Sequence, residues 1–182
     1  PTPTDSSAAS DVYKRQTLGA TKNHDFHAFT PTVSNIRPTS RGHVNITNKD
    51  SRIYAKVKLN YLSTEHDRMI AAKGLKLTRK IVMESETFKK YNPEEYRPGI
   101  NINDDEELVK AGADYAQTIF HPVGTCKMGQ DDMAVVDETL KVKGLNNLRV
   151  IDASIMPNIT SGNTNAPTIM IAEKGADMIL RS

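Results

Sequence analysis

Pro122 and Gly124, in the stretch Phe120–Gly129 that reads FHPVGTCKMG, divide the chain more firmly than any other feature. Proline lacks an amide hydrogen and pushes the residue before it out of the helical region, so a helix arriving from upstream must stop before His121. A glycine two residues later discourages the helix from re-forming. The two sides therefore belong to different elements. The expected organisation is a leader at 1–16, a first region at 17–120, and a segment at 121–182 that opens on His121.

Upstream, Phe26–Ile36 is rich in β-branched and aromatic residues but interrupted by Pro31, which reads as an edge or irregular strand. Val44 and Ile46, then Ala55, Val57 and Leu59, alternate with polar neighbours. Two short strands flanking TNKDSR therefore predict a hairpin. Thr64 followed three residues later by Asp67 signals a helix start. That helix should run to about Met83, with Ile70, Leu77 and Ile81 near one face. Tyr91–Gly99 reads as a loop.

A second helix should begin at Asn103 and reach Thr118. Asp104, Asp105, Glu106 and Glu107 fill its first turn, where the helix dipole favours carboxylates. Leu108, Ala111, Tyr115 and Ile119 are spaced as one buried stripe. Downstream, Ala134–Val136 and Leu148–Asp152 read as strands separated by turns at Lys143-Gly144 and Asn146-Asn147. Asn165-Ala166-Pro167 opens a last helix through Ile169, Ala172, Ala176, Ile179 and Leu180, since proline is tolerated in a first turn. The fold class is α+β, with short antiparallel strands and helices.

The 182 residues suffice for one domain with a core. With 24 basic and 22 acidic side chains, the surface is mixed, and no basic stripe argues for nucleic acid. One cysteine rules out a disulfide framework and any cysteine-only metal site, and points to a reducing compartment. No apolar run approaches the roughly 20 residues that span a bilayer, so a cytoplasmic or peripherally membrane-associated protein is expected. Residues Ser6–Gln16, SSAASDVYKRQ, resemble the in-frame translation of a transposase-type sequencing adapter, with a natural Ser/Ala linker as the alternative; on the first reading the biological chain is expected to begin near Thr17.

Several residues could carry chemistry. Cys126 has no cysteine partner, and its neighbour Lys127 points away on an extended chain, so it reads as a small packing residue. His121 sits on a sharply defined junction that suits a positioned general base, although packing alone would also place a histidine there. Ser161–Pro167 puts Asn163 and Asn165 in a glycine-bearing loop at a helix start, which can receive an electron-rich group or simply cap the helix through Thr164 or Asn165. Asp152 ends a strand, where it can reach a ligand or cap the next turn. The acidic run at Asp104–Glu107 is read as a helix start, and no metal site is expected. G-x-G-x-x-G, Walker, H-E-x-x-H and G-x-S-x-G patterns are absent from the sequence.

Three segments, IFHPVGTCKMG, AVVDETLKVKGLNNLRVIDASIMP and TSGNTNAPTIMIAEKGADMI, together resemble the C-terminal signature of the glucose–methanol–choline oxidoreductases. SNIRPTSRGHVNI, LNYLSTEHDRMIAAKGLKLTRKI and EEYRPG resemble the substrate-domain segment of the same family, so the likeness spans about Phe26–Arg181. The bacterial branch with choline dehydrogenase-like and aliphatic alcohol dehydrogenases is most similar.

The resemblance implies an FAD cofactor and oxidation of a primary alcohol to an aldehyde. It implies that His121 is the base and that Asn163 is the second member of the catalytic pair. Asp152, Ala153, Thr164 and Asn165 match positions that contact the cofactor. The small-molecule alcohol would be joined by an electron acceptor, quinone-like or oxygen; the latter would make the protein an oxidase. The family's glycine-rich dinucleotide-binding unit has no counterpart here. The chain is therefore expected to be the C-terminal part of a flavoenzyme, with a strand and helix that complete an FAD-binding α/β domain, and to be inactive alone. A non-catalytic small-ligand module built on Asn163 and the helix start is the rival expectation.

Overall fold

The computed structural model describes residues 26–181; the expected leader at 1–16 lies outside the described residues. Two strands, β1 (His43–Asn45) and β2 (Lys56–Lys58), pair antiparallel with Val44 opposite Val57. They form the expected hairpin, but in short pieces. Four helices follow: α1 (Glu65–Glu84), α2 (Glu86–Lys89), α3 (Asp105–Ala113) and α4 (Asn165–Leu180), with a 3₁₀ turn at Ala153–Ile155. The architecture is α+β. No helix among the described residues is long and apolar enough to cross a membrane.

Helix α1 starts where the capping pattern placed it, with Thr64 Oγ1 accepting from Asp67 N–H at 3.3 Å. Its inner face differs from expectation. Leu77 and Ile81 are more than half exposed, whereas Asp67 and Ala72 are buried. The buried carboxylate of Asp67 gathers the preceding segment onto the helix. It accepts from Thr39 N–H (2.9 Å), Ser40 N–H (2.8 Å), Thr39 Oγ1 (3.1 Å) and Asn35 Nδ2 (3.2 Å). Burial alone would push this carboxyl up, but the hydrogen bonds from Ser40 and Thr39 outweigh it and hold it at about 2.

Helix α3 begins one residue later than expected, capped by Asp104, which accepts from Glu106 and Glu107 N–H. It packs on α1, and Leu108 is fully buried. The helix ends at Ala113, not near Thr118. Tyr115 and Ile119 are correspondingly exposed rather than part of a buried stripe. The Tyr115 ring instead lies 4.5 Å from the Arg97 guanidinium, a cation–π contact outside the core.

The C-terminal core gathers Val136, Leu140, Ile155, Met156 and Ile171, with Val123, Met128, Val150, Ile151 and Met178 packed around them. The strands expected at Ala134–Val136 and Leu148–Asp152 appear only as isolated bridges: Met128 with Val136, Val136 with Val142, and Lys141 with Arg149. Left-handed residues at Leu140, Gly144 and Asn147 turn the chain too often for a ladder to propagate. Helix α4 lies close to this layer. A Cβ on buried Gly175 would sit 2.5 Å from Ile151 Cγ2, so only glycine permits the approach.

Candidate active site

His121 is placed by its backbone neighbours. Phe120 before it adopts φ 63°, a left-handed conformation unusual for a bulky aromatic and therefore strained, while its N–H donates to Thr118 Oγ1. Beyond Pro122, Gly124 at φ 88° brings its backbone close to the Met156 carbonyl; a Cβ there would lie 3.2 Å from that oxygen. Cys126 N–H then donates to Ser154 O (3.0 Å) and Met128 N–H to Ile155 O (2.7 Å). The loop after the histidine is thus tied to the 3₁₀ turn. Cys126 itself is partly buried.

Asp152 caps that turn. Its Oδ1 accepts from Ser154 N–H at 2.7 Å and from Ser154 Oγ, so the capping alternative for this exposed residue is realised locally. Ala153 is the first residue of the turn and is partly buried. From Met156 the chain passes through Pro157–Gly162 to Asn163, Thr164 and the start of α4. Arg41 Nη2, from the region before β1, donates to Asn158 Oδ1 at 2.6 Å and joins the two halves of the chain here.

The return segment meets the histidine directly. Thr164 Oγ1 lies 2.9 Å from His121 Nδ1, across 43 residues of sequence. Thr164 is the N-cap of α4 and is buried, yet its hydroxyl makes no cap bond to the helix. The first-turn amides of α4 therefore have no side-chain cap. Asn163 and Asn165 are exposed, and their side-chain amides make no hydrogen bond among the described residues. Ser161, left-handed at φ 62°, holds a buried hydroxyl with no partner.

His121 and Thr164 are therefore in direct contact, Asn163 and Asn165 flank Thr164 in the chain, and Asp152 and Ala153 sit on the turn that anchors the histidine loop. No hydrogen bond joins His121 to Asn163 among the described residues. The Thr164 hydroxyl, one of the two side chains expected to cap the helix, meets His121 instead. Sequence reasoning passed over Ser161, whose only signal was its position before Gly162.

The profile of the GMC oxidoreductases matches residues 38–172. An oxygen-dependent choline dehydrogenase of Pseudomonas savastanoi pv. phaseolicola is 48% identical over 159 residues, which are 87% of this chain and 28% of that protein. Among solved structures, the pyridoxine 4-oxidase of Mesorbium loti superposes with a TM-score of 0.75 at 37% identity, covering 81% of this chain and 28% of the other. A formate oxidase of Aspergillus oryzae, studied for modification of its FAD, superposes at 0.72 with 31% identity over 84% of this chain and 28% of its own. The chain thus spans less than a third of the length of these relatives. It belongs to the GMC oxidoreductases, a family of FAD-binding flavoproteins.

Proposed function

We propose that this chain supplies the proton-handling side of an FAD-dependent dehydrogenase that oxidises a primary alcohol to an aldehyde, with His121 as the base. The observation that carries this reading is the contact of the His121 ring, through Nδ1, with Thr164, the residue that follows Asn163 in the chain.

The residues fit the cofactor. The uncapped first turn of α4 offers the N–H groups of Asn165 and Ala166 and the positive end of a 16-residue helix to an electron-rich group. The orphaned Ser161 hydroxyl costs about 1–3 kcal/mol unless a ligand provides its partner. Thr164 and Asn165, through their backbones, would hold the flavin ring, and Asp152 and Ala153 the chain that links it to the nucleotide. When bound, FAD supplies the two-electron acceptor for the hydride leaving the alcohol carbon.

The remaining work falls to this chain. A neutral imidazole accepts the hydroxyl proton at Nε2. The Asn163 amide donates to the substrate oxygen, fixing its orientation and stabilising the charge it gains without competing for the proton. Residues 121–182 carry this chemistry, and residues 17–120 supply the substrate side. Choline and similar small alcohols are the substrate class, by likeness to the choline dehydrogenases. An electron acceptor, oxygen or quinone-like, would complete the cycle.

In the flavin-loaded holoenzyme, His121→Ala should lower turnover by at least ~10²-fold while leaving flavin content intact. Asn163→Ala should lower kcat more than it raises KM if the amide acts mainly on the developing charge. A His121→Ala enzyme that turns over at the parent rate would assign the proton to another group.

A further inference from the structure

Thr164 occupies an N-cap position but does not cap. A threonine there ordinarily accepts from an amide of the first turn, worth about 1 kcal/mol. Here the hydroxyl is directed to His121 Nδ1 at 2.9 Å, and it makes no other hydrogen bond among the described residues. The residue is only 7% exposed, so water competes little for the contact.

We propose that Thr164 is a positioning residue for His121: its Oγ1 accepts from Nδ1–H, holding the neutral ring as the Nδ1–H tautomer and leaving the Nε2 lone pair to take the alcohol proton. The proposal rests on the reading of His121 as base and adds the device that would make it one. A neutral imidazole has one N–H and one lone pair, and the bond made by one nitrogen decides the state of the other. Free histidine prefers its proton on Nε2, which would leave that nitrogen a donor. Among the described residues, the Thr164 hydroxyl is the only hydrogen-bond partner of this ring.

In the proton step, the alcohol O–H bond breaks and an Nε2–H bond forms. The ring becomes an imidazolium whose Nδ1–H stays on the threonine oxygen throughout. The same hydroxyl could act in the opposite sense, donating to Nδ1 and placing the ring proton on Nε2. That arrangement would disarm the base.

The two arrangements are separable by long-range ¹H–¹⁵N correlation on the ¹⁵N-histidine-labelled chain at about pH 8, where an ordinary imidazole is neutral. His121 is identified by the signal lost in His121→Gln. Wild type and Thr164→Ser should both show a protonated Nδ1 and a bare Nε2, and Thr164→Val should shift toward Nε2–H. A wild-type ring protonated on Nε2, or a folded Thr164→Val with the wild-type pattern, would overturn the proposal. Should Thr164→Val fail to fold, the wild-type and serine patterns still decide it.

In the holoenzyme, Thr164→Val should lower kcat/KM about five- to tenfold at unchanged flavin content, with serine restoring it. An unchanged kcat/KM in Thr164→Val would also count against it. The tautomer is read without turnover, so failure of the base reading in His121→Ala and failure of this proposal remain distinct results.

Discussion

Replacing Asp67 with asparagine removes the charge that ties Asn35–Ser40 to helix α1. The wild-type carboxylate is buried and accepts four hydrogen bonds from Asn35, Thr39 and Ser40, which hold it at about 2 against an ordinary value of 3.8. That depression is worth about 2.5 kcal/mol of folding stability. Because the folded value lies below the unfolded one, the contribution is complete above pH 4 and is lost as the pH falls toward 2. Asparagine also keeps one acceptor oxygen but turns an amide group toward backbone donors, so the total cost near neutrality should be about 2–4 kcal/mol. The measurement is urea unfolding of both proteins followed by circular dichroism from pH 7 down to pH 2. Other carboxylates titrate in both proteins and cancel in the difference. The gap between wild type and Asp67→Asn should narrow by about 2 kcal/mol between pH 4 and pH 2. A gap that stays constant with pH would refute the reasoning, because the charge would then contribute nothing that the amide cannot.

Three further substitutions probe the scaffold around the site. Gly175→Ala places a methyl 2.5 Å from Ile151 Cγ2. It should cost about 1 kcal/mol in chemical denaturation, since overpacking outweighs the gain in helix propensity, and Ile151→Ala in the same chain should recover part of it. Glu95→Gln removes the carboxylate paired with the Arg79 guanidinium, leaving it the neutral acceptors Asn103 Oδ1 and the Gly99 carbonyl; its two bonds to Glu95 measure 2.6 and 2.9 Å with both side chains largely buried. A loss of about 3 kcal/mol is expected, and the apolar pair Arg79→Met with Glu95→Leu should lose less. Asp152→Ala removes the cap of the 3₁₀ turn and should cost about 1 kcal/mol in the chain. If Asp152 also touches the cofactor, the same change should weaken FAD retention in the holoenzyme, read from flavin absorbance after gel filtration.

Local signals in the sequence carried the starts of elements well. The Thr64 cap, the Asp104 acidic turn and the Asn165–Pro167 opening each appear within a residue of where their side-chain chemistry places them. The ends of α1 and α4 also fall within a residue of expectation, and only that of α3 does not. The apolar spacing through Tyr115 and Ile119 suggested a longer α3, but Gly112 weakens the helix and the Tyr115 ring pairs with Arg97. For α1, Leu77 and Ile81 have helical spacing, yet the inner face is set by the polar Asp67 network, which periodicity in apolar residues cannot reveal. The expected strands around Val136 and Val150 reduce to bridges because tight turns interrupt them.

His121 and Asn163 enter the proposed site through the resemblance to the family, and the fold joins the segments that carry them at Thr164. The contact between His121 and Thr164 was not legible in the sequence, because a hydroxyl meeting an imidazole across 43 residues is a product of tertiary packing. The same holds for Ser161, whose orphaned hydroxyl becomes visible only once burial is known.

The central claim is that His121 takes the alcohol proton. Its most direct test is steady-state turnover of choline or a similar small alcohol by flavin-loaded His121→Ala holoenzyme, beside wild type at matched flavin content. The account predicts a loss of at least ~10²-fold. Turnover at the wild-type rate with flavin fully bound would contradict it.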